Sequence, residues 1–191
     1  MFIKNTIEEF LTTLASEQPT PGGGSVAGLA NCLSASLLLM FCKLSIKNTN
    51  DEDKELFTKL LAETKDVMEH AKILIDKDAD AFDNVIDAFK LPKITDTEKQ
   101  LRTEKIQDAF YHAALVPLEN IKISSDLLEI TEEISSKGNQ NALSDFKCAI
   151  YLAKAAYQCA RENVLINLES IKNQEKKNHI LQELHIFEKK L

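Results

Sequence analysis

The sequence predicts an all-α fold, a dimeric bundle of long antiparallel helices, with residues 1–191 forming a single domain. Three observations carry this. Only 5 Gly and 4 Pro occur in 191 residues, and the prolines sit at 19, 21, 92 and 117. The long intervals between them are rich in Leu, Ala, Lys and Glu, which lose little on entering a helix. No stretch alternates apolar and polar residues with β-branched enrichment, so no sheet is expected.

The elements follow in order. Thr6 with Glu9 is a capping box, and Ile7, Phe10, Leu11 and Leu14 make one apolar stripe behind it. That short helix stops before Pro19-Thr20-Pro21-Gly22-Gly23-Gly24-Ser25, read as a loop. A nearly all-apolar helix runs from about 26 to 47. It carries Asn31, Ser34 and Ser36, and only 17 residues separate Ser25 from Lys43. A membrane span needs about 20 apolar residues, so a buried central helix is expected. Asn48-Thr49-Asn50 is a turn, and a long helix then runs from Asp51 to Phe89, before Pro92. Thr95 and Glu98 form a second capping box. The helix they open is expected to kink near Pro117 and to end around Ser136, with Gly138 beyond it. Another helix spans about 144 to 171. The last uses Ile180, Leu184, Phe187 and Leu191.

The formal charge is −7, with no basic block, which argues against a nucleic-acid partner. Cys32, Cys42, Cys148 and Cys159 all fall in apolar helical patterns and form no C-x-x-C pair. They read as reduced, buried thiols of a cytoplasmic protein without a signal peptide or membrane partner. His70, His112, His179 and His185 show no Glu-x-x-His or zinc spacing, so no metal is expected. No nucleophile elbow is present either.

Three features break the apolar pattern. On a helical wheel, Leu74, Ile75, Ala79, Phe82, Val85, Ile86 and Phe89 share one face. Asp76, Asp80, Asp83 and Asp87 form a solvated stripe beside it, and Asp78 projects into its middle. A carboxylate placed there needs a hydrogen-bond partner on another helix, a raised pKa or a ligand. Between 144 and 171, Ala149, Ala153, Ala156 and Ala160 form a small-residue stripe. Asp145, Asn163 and Asn167 project onto it, as a buried polar network or as a binding site. The three consecutive glycines at 22–24 exceed what a turn needs and predict close approach of a ligand or a second backbone. They match neither a nucleoside-triphosphate loop nor a dinucleotide fingerprint.

These residues resemble a known family. Thr20-Pro21-Gly22-Gly23-Gly24-Ser25-Val26-Ala27 is similar to the Pro-Gly-Gly-Gly-Ser signature of the formiminotetrahydrofolate cyclodeaminase / methenyltetrahydrofolate cyclohydrolase family. Leu74 to Phe82 resembles its Asp-x-Asp-Ala-x-Ala-Phe helix. Lys90-Leu91-Pro92-Lys93, Val116-Pro117-Leu118, Gly138 to Asp145 and Asn163 to Leu168 resemble later motifs, in order. Family members often carry a basic-aromatic cluster after the glycine-led helix. Here that stretch reads Ile46-Lys47-Asn48-Thr49-Asn50-Asp51, without an aromatic residue.

The resemblance implies an all-helical homodimer with a folate cleft near the subunit interface, in the free-standing form. It implies no cofactor beyond the tetrahydrofolate substrate. The implied activity closes 5-formiminotetrahydrofolate to 5,10-methenyltetrahydrofolate and releases ammonia. The alternatives are hydrolysis of the methenyl compound to 10-formyltetrahydrofolate, or folate binding without catalysis. On this reading Asp78 is the first choice for general acid and Asp145 the second, the other acid holding the pterin. Pro21, Gly22, Gly23, Gly24 and Ser25 would receive an anionic or carbonyl group. Asn139, Asn141, Asn163 and Asn167 would give amide contacts, and Lys47, Lys90, Lys93 and Arg102 would meet the glutamate tail.

Overall fold

The fold is a computed structural model that describes residues 1–47, 49–134 and 136–189. Among these there are six α-helices and no strand: α1 Ile7–Leu14, α2 Gly23–Ile46, α3 Asp51–Lys90, α4 Asp96–Ile134, α5 Leu143–Ser170 and α6 Gln174–Glu188. Short 3₁₀ turns cover Phe2–Lys4 and Gln140–Ala142. The expected turn at 48–50 lies partly outside the described residues. Ser136 falls beyond the end of α4, and Leu191, the last expected apolar position, is outside them altogether.

Local chemistry sets the boundaries. The Thr6 hydroxyl accepts from Glu9 N–H, and the Glu9 carboxylate accepts from Thr6 N–H. Glu98 accepts from the Ile94 and Thr95 N–H groups, and Thr95 Oγ1 accepts from Glu98 N–H. Asn50 caps α3 through Asp53 N–H. Each supplies a partner to helix-start donors that have none within the helix.

The central element is α2, packed between α3, α4 and α5. It is long and apolar enough to cross a membrane by length and composition. In this fold it is the hub of the bundle. Its buried Ser34 hydroxyl donates to the Ala149 carbonyl, and buried Ser45 donates to Phe41. Phe41, Phe57 and Phe146 pack together at its C-terminal end. A second apolar cluster joins Ala114, Ile121, Ala160, Val164, Leu168 and Ile180 of α4, α5 and α6.

Several expectations need correction. The glycine segment is not a loop: Gly23, Gly24 and Ser25 are already the first turn of α2. No glycine has a positive φ. Gly138 is not a helix terminator. A Cβ there would lie 1.9 Å from the Phe41 ring, so its smallness admits the aromatic cluster. Cys148 is exposed and Cys159 only half-buried, because they fall to the side of the alanine stripe. Cys32 and Cys42 are buried, and burial pushes their thiols up to about 12 and about 11. Asp76 is not solvated: the N-terminal segment covers it, and it accepts from Phe2 N–H. Phe82, Ile86 and Phe89 are 38%, 37% and 46% exposed while Val85 stays buried, so only part of the wheel's apolar face meets the core in the last three turns of α3.

A candidate active site at the N-terminal end of the central helix

That exposed stretch of α3 walls a cleft of about 390 Å³, within the usual range for a small-molecule site. Its lining comes from Pro19, Thr20, Gly22 and Gly23, from Asp78 and Phe82 of α3, from Phe110 and Ala113 of α4, and from Asn163, Ile166, Asn167, Glu169 and Ser170 of α5. Two aromatic rings and several polar side chains therefore converge where α2 begins.

Asp78 is held in place from α2. Gly22 gives the helix no side-chain cap, and the Asp78 carboxylate supplies one from α3. Ser25 N–H donates to Asp78 Oδ2 at 2.9 Å, and Ser25 Oγ lies 3.2 Å from the same oxygen while bonding the Ile75 carbonyl at 2.9 Å. The glycines make this possible. A Cβ on Gly24 would sit 1.9 Å from Asp78 Oδ1, and one on Gly23 would sit 2.7 Å from Asn163 Nδ2. Their role is the close approach of two neighbouring helices.

Burial pushes the Asp78 carboxyl above its ordinary value, against the Ser25 hydrogen bonds that favour the ionised form. The partial positive charge of the helix start pulls in the same direction as those bonds. Removal from water outweighs both.

A buried network fixes the first turn of α2 from behind. Asn120 Nδ2 lies 3.4 Å from the Gly24 carbonyl, Asn31 Nδ2 donates to the Asn120 carbonyl at 3.0 Å, and Ser124 Oγ donates to Asn31 Oδ1 at 2.9 Å. All three side chains are fully buried, and their polar groups are partnered within the network. At the far wall, Gln107 Nε2 donates to the Ser170 carbonyl and Gln107 Oε1 accepts from Lys172 N–H, which ties the end of α5 to α4.

The sequence-predicted residues separate into groups. Gly22, Gly23, Asp78, Asn163 and Asn167 meet in the cleft. Pro21, Gly24 and Ser25 are buried beneath it, so Ser25 acts on the cleft through Asp78. Lys90 and Lys93 stand at the exposed α3–α4 tip, where Lys90 pairs with Asp87. Arg102 donates to the Phe89 carbonyl and lies over the Phe89 ring, 5.4 Å from its centre. Its guanidinium thus closes the end of α3. Lys47, Asn139, Asn141 and Asp145 gather at the opposite end of α2, where Asn139 N–H donates to Ser45. Asp145 precedes Asn163 by 18 residues on one helix, about 27 Å along its axis. Within one copy these four do not reach the Asp78 cleft.

Phe82 and Phe110 are cleft residues that sequence reasoning missed. A wheel assigns Phe to the core, and nothing local marks a stretch of apolar face that lacks a covering helix.

Comparison with known proteins gives four findings. Residues 6–185 match the family model described as Formiminotransferase-cyclodeaminase. A methenyltetrahydrofolate cyclohydrolase from Methylorubrum extorquens is 37% identical over 173 residues, covering 87% of this chain and 80% of that protein. The formimidoyltransferase-cyclodeaminase of Rattus norvegicus is 30% identical over 167 residues, and the matched region spans 31% of its length. Among solved structures, the formiminotetrahydrofolate cyclodeaminase of Thermotoga maritima superimposes with a TM-score of 0.87 at 28% identity, covering 98% of this chain and 90% of that one.

Proposed function

The chain belongs to the formiminotransferase-cyclodeaminase family, and from that premise we propose that it makes or breaks the 5,10-methenyl bridge of tetrahydrofolate, with Asp78 carrying the proton. The observation behind this reading is a carboxyl of raised proton affinity, anchored on a helix start and facing a cleft with two aromatic walls. The chain is an enzyme of folate one-carbon chemistry, as its named relatives are.

In the cyclodeaminase direction, folate N10 attacks the formimino carbon and the C–N10 bond forms. The formimino nitrogen takes two protons, one given up by N10 and one donated by Asp78. The bond from the bridge carbon to that nitrogen then breaks, ammonia leaves, and the methenyl cation and ionised Asp78 remain. Phe82 and Phe110 offer flat apolar faces to the pterin. The Gly23 backbone and the Asn163 amide hold the folate near Asp78, and Lys90 and Lys93 at the tip of α3 suit the glutamate tail. Orientation of N10 and a placed proton donor are what the ring closure requires.

The second reading, hydrolysis of the methenyl compound to 10-formyltetrahydrofolate, is favoured by the 37% identity to a cyclohydrolase over most of its length. Water then attacks the bridge carbon and gives one proton to ionised Asp78; the C–N5 bond breaks as the second proton of that water passes to N5, and the formyl group remains on N10. An absorbance assay for methenyltetrahydrofolate, run once with the formimino substrate and once with the methenyl compound, separates the two. A protein that binds folate and turns over neither substrate refutes both.

We extend the proposal to a two-fold homodimer. A second copy would carry its Lys47, Asn139, Asn141 and Asp145 toward the cleft, which gives those residues a route to substrate. Asp145→Asn should then raise KM, and dilution below the dimer dissociation constant should abolish activity. A monomer in sedimentation that retains full activity would sink this extension.

A further inference from the structure

Pro117 has no N–H, so α4 cannot form the bond from residue 117 back to the Ala113 carbonyl. Ala113 lines the cleft, and its carbonyl takes a donor from another helix: Asn167 Nδ2 of α5, at 3.2 Å. The same nitrogen donates to the Asn163 carbonyl at 2.9 Å. An amide nitrogen has two hydrogens, and these two carbonyls use both. Turning the amide over would set its oxygen against two carbonyl oxygens, so its partners fix the orientation. Asn167 Oδ1 is then the unused polar atom of a side chain that lines the cleft, and among the described residues no donor reaches it.

We infer that Asn167, held by the carbonyl that Pro117 frees, is a dedicated acceptor for an N–H group of the bound substrate. The inference rests on the folate reading above, under which that group is the donor edge of the pterin, its exocyclic amine and the adjacent ring N–H. The layout of the cleft agrees. The Asp78 carboxyl lies on Gly24 and the Asn163 amide on Gly23. Asn167 follows one helical turn further, about 6 Å along α5. The pterin is a rigid bicycle with its donor edge on one ring and N5 on the other. Seating the donor edge at Asn167 therefore turns N5 and its one-carbon group toward Asp78. The pterin carbonyl, an acceptor, is refused at the same position. Asn163 differs: it spends one hydrogen on the Cys159 carbonyl at 2.8 Å and keeps a donor as well as an acceptor. Pro117 acts only through Asn167 and is a positioning residue.

Four proteins test this: the natural chain, Asn167→Ala, Pro117→Ala and the double variant. Each is measured for tetrahydrofolate affinity by calorimetry and for Tm. Asn167→Ala should weaken binding about tenfold, the worth of one good hydrogen bond. It should also lower Tm, because the Ala113 carbonyl loses its partner. Pro117→Ala restores a backbone N–H for that carbonyl, so Tm should not fall, while the released Asn167 amide should weaken binding severalfold. The double variant is decisive: Tm should recover while affinity stays as weak as in Asn167→Ala. Recovery of both would make Asn167 a structural residue and overturn the inference, as would natural affinity in Pro117→Ala. A tetrahydrofolate analogue with methyl in place of the exocyclic amine gives a check without any Pro117 variant. The natural chain should bind it more weakly than tetrahydrofolate, and Asn167→Ala should bind both alike. Equal binding of the two by the natural chain overturns the assignment. A natural chain that binds no tetrahydrofolate overturns instead the folate reading on which the assignment rests.

Discussion

Gly24→Ala separates the role of the glycines in packing from any role in chain flexibility. The added methyl carbon would lie 1.9 Å from Asp78 Oδ1 and 2.4 Å from its Cγ. Ordinary contact begins at 3.4 Å, so the carboxyl must retreat by 3.4 − 1.9 = 1.5 Å. That retreat breaks the 2.9 Å bond from Ser25 N–H, a hydrogen bond to a charged group worth about 1.5–3 kcal/mol. Against this, alanine is a better helix former than glycine by about 1 kcal/mol. The net loss is then roughly 0.5–2 kcal/mol, about 1–8 °C in Tm for a chain of this size. Activity should fall much further, because misplacing a catalytic group by about 1 Å costs on the order of 100-fold. Gly22→Ala is the control for stability: its Cβ would meet only the Pro19 carbonyl at 3.8 Å, with φ at −125°. Thermal melts and the methenyltetrahydrofolate assay are read together. A Gly24→Ala enzyme with natural activity would refute the claim that this glycine exists to seat Asp78.

Three further outcomes are expected. Asp78→Asn keeps an acceptor for Ser25 N–H and should fold, yet kcat should drop by about 10²–10⁴, the range for a lost general acid. Exposed Asp83→Asn should leave kcat unchanged in the same assay, and equal losses in the two variants would refute the assignment. Because burial raises the Asp78 carboxyl above 3.8, the native state binds its proton more tightly than the unfolded chain does. Its contribution is full below the unfolded value and is lost as pH rises through the raised one. Melts between about pH 4 and about pH 7 should therefore show Asp78→Asn gaining Tm relative to the natural chain as pH rises, and a flat difference would contradict that sign. Gly23→Val should weaken tetrahydrofolate binding more than it lowers Tm, since its side chain points at Asn163 Nδ2 at the end of a movable side chain; natural affinity in that variant would make Gly23 a packing residue alone.

Local rules carried most of the fold. The Thr6–Glu9 and Thr95–Glu98 boxes state their helix starts within four residues. Proline and glycine mark the breaks before α2, before α4 and after α4, whereas Gly28 and Pro117 are absorbed within α2 and α4. Asp78 was also legible, because one carboxylate in the middle of an apolar wheel face needs a reason. What escaped was non-local. Phe82 and Val85 look alike on a wheel, yet one faces a cleft and the other the core. Gly24 and Gly138 look like turn residues, and only the approach of Asp78 and Phe41 explains them. The Pro117 to Ala113 to Asn167 link spans two helices and leaves no pattern in either. Asp145, Asn163 and Asn167 share a stripe by angle, but angle says nothing of the distance along the axis from the first to the others, about 27 Å to Asn163 and about 33 Å to Asn167 at about 1.5 Å per residue.

The position of Asp78 also bears on when it holds its proton. Two opposing influences act on one carboxyl: water removed from around it, and the Ser25 donors with the start of α2. The donors are fixed by the fold and do not change when a ligand arrives. Hydration does change, because the remaining open side of the carboxyl faces the cleft. Under the proposed function, a pterin seated between Phe82 and Phe110 would displace that water, strengthening the first influence and leaving the second as it was. Proton affinity at Asp78 would then rise on binding, and the proposed general acid would be loaded in the complex with the group it must protonate. The same step would weaken the cap on α2, since a neutral carboxyl holds the helix start less firmly than a carboxylate. Asn120, bonded to the Gly24 carbonyl from behind, gives the first turn a tie that does not depend on the charge of Asp78.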